Sequence, residues 1–324
     1  MNEITLNSHA KLNLALRISG KRADGYHEIV SFMQGMGLHD VVRLKKCTRN
    51  ATKYKLPHCI IKGVDVYLCT DAKTIPADMS NLAFKGIDAL LEMLAESNAP
   101  WPDRDTGSLK DGLLIELDKR LPVAAGIAGG SGNAAVCMLG LNAMLGFPFD
   151  LKELMSAGAS VGADVPFSIF MNAFRNRDKL QGFAGIEETA DSAWTYGIGD
   201  IVEKADSVPM HVILANPGVA VSTKAAYDAM DSIGYGTEPA AYKTLFANDF
   251  ENYTFAAEAA AAELRRIMTE SIAADEVLMS GSGPTIAAYY KDADKAKTDF
   301  EKLRKMIENG SDTEVWLTDT GIYN

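Results

Sequence analysis

Residues 121–136, LPVAAGIAGGSGNAAV, crowd Gly126, Gly129, Gly130 and Gly132 together and then run into an apolar segment. The stretch before them, GLLIELDKRL (112–121), is strand-like. The stretch after, NAAVCMLGLNAML (133–145), reads as a mostly buried helix that Gly146 and Pro148 close. A strand, a turn of bare backbone and a helix start aim free N–H groups and the positive helix end at one point, where an anion is favoured. A phosphate therefore suits this loop; small residues that merely let a helix pack closely are the alternative. The loop lacks the lysine of GxxxxGK[ST], does not match GxGxxG, and has no accompanying HRD or DFG segment. Its cation must come from elsewhere in the chain.

With 324 residues, 47% of them hydrophobic and 23% charged, the chain has material for two domains with a sizeable core. Its net charge of -11 repels phosphate-bearing ligands, so these need a local positive pocket, and nucleic acid is not an expected partner. Cys47, Cys59, Cys69 and Cys137 form no CxxC pair, which fits a reduced compartment, the cytoplasm. Glu3 and Lys11 flank no apolar core, so no signal or transit segment is expected. The long uncharged stretch between Arg120 and Asp150 is broken by glycines and Pro148, too often to span a membrane.

Alternating patterns predict strands over 3–19, 41–46 and 112–121, with others near 210–215 and around MSGSGPT (279–285). Helices are predicted over 80–97, with Ser80 or Asn81 as N-cap, over 133–145, and from the Asp150/Glu153 capping box. Two more cover 255–271 and the tail 292–308, where Phe300, Leu303, Met306 and Ile307 form an apolar face. Pro100, Pro102 and Gly107 mark a surface connection, and residues 171–192 read as irregular and polar. Mixed runs without strict strand–helix alternation give an α+β class, divided into residues 1–168 and 169–324.

Three motifs, in order, carry a family resemblance: HAKLNLALRISGKRADGYHEI (9–29), the glycine loop with GADVPF (162–167), and MSGSGPT. Together they resemble the GHMP family of small-molecule kinases. KLN followed by G-x-R-x-D-G-Y-H is similar to those members whose acceptor is a cytidine-diphosphate-linked polyol. The resemblance implies a ribosomal-protein-S5-domain-2-like N-terminal, ATP-binding domain and a ferredoxin-like C-terminal domain. It also implies transfer of the ATP γ-phosphate to an acceptor hydroxyl in isoprenoid precursor synthesis, with ATP and Mg²⁺ as cofactors. The expected partner is that small molecule alone, without nucleic acid or membrane, on a monomer or weak homodimer.

Residue by residue, Asp164 matches the family's catalytic aspartate and Lys11 the lysine that accompanies it. A carboxylate beside a hydroxyl can take its proton, and an ammonium offsets charge on the transferring group. The plainer readings are a helix N-cap for Asp164 and a solvated strand residue for Lys11. Asn13 shares the strand face of Lys11 and suits an acceptor-orienting hydrogen bond. Tyr26 and His27 correspond to a cytosine-binding pair, Thr223 to a substrate contact, and Tyr227 to a second ring against the base or a core residue. Pro122, Ala124, Ala125, Gly126, Ala128, Gly129, Gly130, Ser131, Gly132 and Asn133 correspond to the phosphate wrap, with Gly281, Ser282 and Gly283 closing over it. Asn81 and Lys119 resemble positions near the nucleoside, Lys119 otherwise being a strand-edge charge. Ser131 is the candidate protein contact to Mg²⁺.

The chain departs from the family pattern in two places. Ala125 and Ala128 stand among the usual glycines and Gly132 replaces a second serine, which bears on ATP affinity and the metal contact. About twenty extra residues, 172–192, precede the turn YGIGD (196–200); with Arg175, Arg177 and Lys179 they read as a solvated loop, or as a lid over acceptor phosphates. A sugar- or homoserine-type acceptor and a catalytically silent nucleotide-binding homologue are the competing functions. DGYH speaks against the first, and Lys11 with Asp164 against the second.

Overall fold

Two long strands, β1 (Glu3–Lys21) and β2 (His27–Lys46), are neighbours joined by a tight turn. The computed structural model describes residues 1–47, 56–97, 109, 112–123, 125–235, 243–307 and 312–320. Ala124 and the connection at Pro100, Pro102 and Gly107 lie outside these. Contacts group the chain into two compact units. The first holds residues 1–9, 39–123 and 129–191; the second holds 10–38, 124–128 and 192–324. The sequence boundary near 168 falls inside a helix of the first unit, α4 (Val165–Arg175).

In the first unit, β3 (His58–Ile61) pairs antiparallel with β4 (Val64–Thr70), β4 runs parallel to β5 (Leu113–Asp118), and β5 pairs antiparallel with residues 41–46 of β2. Four helices accompany this sheet: α1 (Leu82–Glu96), α2 (Gly129–Met144), α3 (Leu151–Val161) and α4. Nearly all of α2 is buried, as a helix that is apolar all round must be. It meets α1 closely enough that a Cβ on Gly86 would stand 2.7 Å from the Ala134 carbonyl oxygen. Asn81 caps α1 through Ala83 N–H, and Asp150 and Glu153 close both bonds of the expected capping box on α3.

In the second unit, β6 (Ser192–Tyr196) pairs with residues 31–34 of β2 and with β7 (Ile201–Ala205), the YGIGD turn joining β6 to β7. A separate antiparallel sheet has the order β10 (Glu276–Met279), β11 (Ile286–Tyr290), β8 (His211–Asn216) and β12 (Glu314–Asp319). The short β9 (Ala247–Asn248) runs parallel to β1 at Ala15 and Leu16. One core joins Leu16, Ile18 and Ile29 to this sheet and to α5 (Thr223–Ile233), α7 (Ala259–Ser271) and α8 (Ala293–Ile307).

Several sequence expectations need correction. Residues 171–192 are not a solvated irregular loop. Helix α4 runs to Arg175, and Leu180, Phe183, Thr189 and Asp191 are buried beyond it. Phe183 stacks on Phe147 with ring centroids 5.8 Å apart, so apolar burial anchors the segment. Nor do its three cations form one patch. Arg175 is buried against Asp191, while Arg177 lies over the Phe174 ring. The helix expected over 255–271 is two, α6 (Glu251–Ala257) and α7, because Glu258 is extended (φ -122°, ψ 94°). That corner lets Thr254 bond the Ser282 carbonyl while Leu264 and Met268 reach the core. Met306 is exposed rather than part of the apolar face of α8, which buries Ala296, Leu303 and Ile307.

Candidate active site

In the second unit, the turn between β1 and β2 holds one group of candidate residues. Asp24 accepts Tyr26 N–H at 3.1 Å and Arg22 Nε–H at 3.0 Å, and Arg22 N–H donates to the Tyr26 carbonyl at 2.7 Å. The Asp24 carboxyl lies below its ordinary pKa, chiefly through the Tyr26 backbone bond and also through Arg22. The turn leaves the Tyr26 ring exposed and buries His27. The His27 ring stacks on Tyr227, centroids 4.9 Å apart and planes at 23°, and its Nε2 lies 2.8 Å from Asp231 Oδ1. Tyr227 also meets Phe250 edge-on, so it is at once a core contact and the wall behind the imidazole.

Lys11 and Asn13 occupy one face of β1, both buried. Lys11 Nζ donates to Asn13 Oδ1 at 2.5 Å, and Asn13 Nδ2 donates to Ser31 Oγ, whose own hydroxyl donates to the Ala15 carbonyl at 2.6 Å. Lys11 is therefore not a solvated strand residue. Its backbone N–H donates to the Ile127 carbonyl at 3.1 Å, which ties β1 to the glycine loop.

The two glycine loops lie backbone to backbone. Gly126 has φ +72°, and a Cβ there would stand 2.5 Å from the Ser280 carbonyl oxygen and 2.8 Å from that of Gly283. Ser280 Oγ donates to the Gly126 carbonyl, and Asn248 Nδ2 donates to the carbonyls of Met279 and Gly281 at 2.8 Å each. Thr223 Oγ1 lies 2.8 Å from Ser282 Oγ, which brings the start of α5 to the same loop. Ala125 is buried, and Ala128 holds φ +57°, a left-handed conformation that strains any residue with a Cβ.

In the first unit, Gly129, Gly130, half-buried Ser131, Gly132 and Asn133 form the N-terminal end of α2, just after half-buried Pro122. Lys119 lies beside this end: its Nζ is 3.3 Å from where a Cβ on Gly129 would stand. It is no strand-edge charge, because Nζ donates to buried Asp40 and to the Leu121 carbonyl, both at 2.8 Å. A Cβ on Gly132 would stand 2.8 Å from Ser8 Oγ and 3.2 Å from the His9 carbonyl oxygen, so a larger residue would require the Ser8 hydroxyl to turn away. Ser8 Oγ and Asn133 Oδ1 are buried without a hydrogen-bond partner. Asn81 spends its amide on Ala83 N–H and the Pro76 carbonyl. Asp164 sits at the N-cap position of α4, ahead of Pro166, but its side chain makes no capping bond, so it is an N-cap by position only.

Bare backbone at a helix N-terminus and two orphaned oxygens beside it fit a triphosphate with an associated cation. Among the described residues no cluster of three or more His, Cys, Asp or Glu could hold a metal by itself. A divalent ion here would take its ligands from phosphate, water and few protein oxygens. Sequence reasoning missed Asp40, Asp231, Ser31 and Asn248, which orient Lys119, His27, Asn13 and the second glycine loop. Each acts on a partner far along the chain and sits in no motif.

Comparison with known proteins gives the family. The GHMP kinases N terminal domain matches residues 81–172, and the GHMP kinases C terminal domain matches 238–309. The 4-diphosphocytidyl-2-C-methyl-D-erythritol kinase of Alkaliphilus metalliredigens (strain QYMF) is 30% identical, over 94% of this chain and 93% of its own length. That of Syntrophotalea carbinolica is 31% identical over 91% and 92%. A crystal structure of 4-(cytidine 5'-diphospho)-2C-methyl-D-erythritol kinase shares the fold, with TM-score 0.68, 24% identity, and coverage of 98% of this chain and 100% of that one. A homoserine kinase from Cytophaga hutchinsonii ATCC 33406 shares it at TM-score 0.57. On these matches, across more than nine-tenths of its length, the chain belongs to the GHMP kinase family of ATP-dependent small-molecule kinases and has that family's two-domain α+β fold.

Proposed function

We propose that this chain phosphorylates a hydroxyl of 4-diphosphocytidyl-2-C-methyl-D-erythritol, a step of isoprenoid precursor synthesis. The observation that carries this reading is the turn of residues 22–27, which exposes the Tyr26 ring and pins the His27 imidazole between Tyr227 and Asp231. A flat ring and an oriented imidazole suit a nucleobase, which sugar and homoserine acceptors lack. The names of the two curated relatives above point the same way.

In this reading Asp164 takes the proton of the attacking hydroxyl, and Lys11, held by Asn13, offsets negative charge on the group in transfer. Asn13 and Thr223 orient the acceptor. Pro122 and the loop Ala124, Ala125, Gly126, Ala128, Gly129, Gly130, Ser131, Gly132 and Asn133 hold the phosphates, with Gly281, Ser282 and Gly283 covering them. Asn81 and Lys119 lie toward the nucleoside. Ser131 would be the protein ligand of Mg²⁺, which would supply neutralisation of phosphate charge. In sequence terms the part up to about residue 168 carries ATP binding and residues 169–324 the C-terminal role, while β1 and β2 each contribute to both compact units. The protein works in the cytoplasm on a small molecule, as a monomer or weak homodimer. Among the described residues no helix is long and apolar enough to cross a membrane.

The test measures ATP consumption by wild type and Asp164→Asn against a panel of acceptors. We expect wild-type turnover only with the cytidylated acceptor, and loss of about 10³-fold or more in kcat for Asp164→Asn with ATP binding retained. Equal turnover with galactose or homoserine would overturn the acceptor, and an unchanged variant rate would clear Asp164.

A further inference from the structure

Helix α5 and the residue after its cap bring three side chains to one imidazole. Tyr227 and Asp231 are four residues apart, the spacing that stacks side chains along a helix face, and Tyr235 follows just beyond the Gly234 cap. Tyr227 lies flat on the His27 ring, Asp231 takes its edge at Nε2, and Tyr235 meets it at 60° with centroids 6.0 Å apart. Asp231 also accepts from Lys21 Nζ at 2.5 Å and from the Tyr235 hydroxyl, so one carboxylate gathers three donors. The Lys21 bond, followed by those of Tyr235 and His27, holds the Asp231 carboxyl well below the usual range.

An ionised carboxylate only accepts, so the His27 nitrogen facing it must carry hydrogen. In the neutral ring this selects the Nε2–H tautomer and leaves the lone pair on Nδ1. We infer that Asp231 is a positioning residue for the acceptor's base, fixing both the tautomer and the tilt of His27. The inference rests on the proposed base-reading role of His27. It also carries a specificity: an acceptor nitrogen at Nδ1 favours a base that offers an amino group, as cytosine does, over uracil, which has a carbonyl in that place.

The test combines steady-state kinetics of Asp231→Ala, Asp231→Asn and His27→Ala with ¹⁵N NMR of the His27 ring at about pH 8, where an ordinary imidazole is neutral. Asp231→Ala should raise the acceptor KM about 10-fold, the size of one oriented charged hydrogen bond, with kcat and the ATP KM within about twofold. It should also narrow the preference for a cytidylated over a uridylated acceptor. Asp231→Asn keeps an accepting oxygen and should restore most of the affinity. The wild-type ring should show the Nε2–H tautomer. An Nδ1–H ring in the wild type overturns the inference whatever the variants do, as does an unchanged acceptor KM in Asp231→Ala while His27→Ala is impaired. An unchanged acceptor KM in His27→Ala is a different failure, because it removes the base-reading role itself.

Discussion

Gly126 carries two demands at one residue, a left-handed backbone and a contact in which any Cβ would overlap two carbonyl oxygens. Gly126→Ala should therefore cost about 3 kcal/mol or more, the sum of strain and overpacking, seen as a lower urea midpoint. Nucleotide binding should weaken with it, since the same backbone faces the phosphates in the proposed site. This glycine, and the Lys11–Asn13 pair, were legible because the residues concerned sit within single short motifs. Asp40 and Asp231 were not, because they act on partners 79 and 204 residues away. An aspartate in isolation reads as a solvated charge until the fold shows what it faces. Ala128 was legible only as a departure from pattern; its left-handed φ shows that the loop keeps a glycine-like path despite the methyl.

Helix α4 and the segment after it show how an element acquires a role its composition conceals. Arg175 binds both oxygens of Asp191, at 2.5 and 2.8 Å, with side chains 5% and 4% exposed. Asn172 and Asn176, one turn apart, bond the backbone of His9 and Asn7 on β1. The segment thus braces the entry of β1 within the first unit. Asp191→Ala should cost about 3–5 kcal/mol by leaving a buried guanidinium unpaired, and thermal melts would show it; a melt unchanged from wild type would mean that water reaches Arg175. Helices α1, α3 and α8 were readable within a few residues because caps and 3.6-residue periodicity are local signals. Strands β3, β4, β6 and β7 were not, being fixed by cross-strand pairing rather than by a local pattern. The long β2 was seen only at its end, since Gly35, Gly37 and Asp40 interrupt its pattern.

For the whole molecule, the governing feature is that β1 and β2 pass through both units. Fragments 1–168 and 169–324, expressed separately, should each fail to give dispersed NMR spectra. The first would expose Leu16, Ile18 and Ile29, which lose their core, and the second would lack residues 31–34, the partner of β6. Two well-folded fragments would show that the units do not depend on this exchange of strands. The α+β class and the family were within reach of sequence because three motifs keep their order along the chain. The interleaving was not, since no local pattern reports which part of a strand joins which core. It sets a schedule for biosynthesis. Residues 10–38 leave the ribosome well ahead of β12, a member of the sheet their core requires. At about 5–20 residues per second the nascent strands wait on the order of 15–60 s with apolar faces uncovered, so their yield in the cell should depend on a chaperone that shields emerging chains.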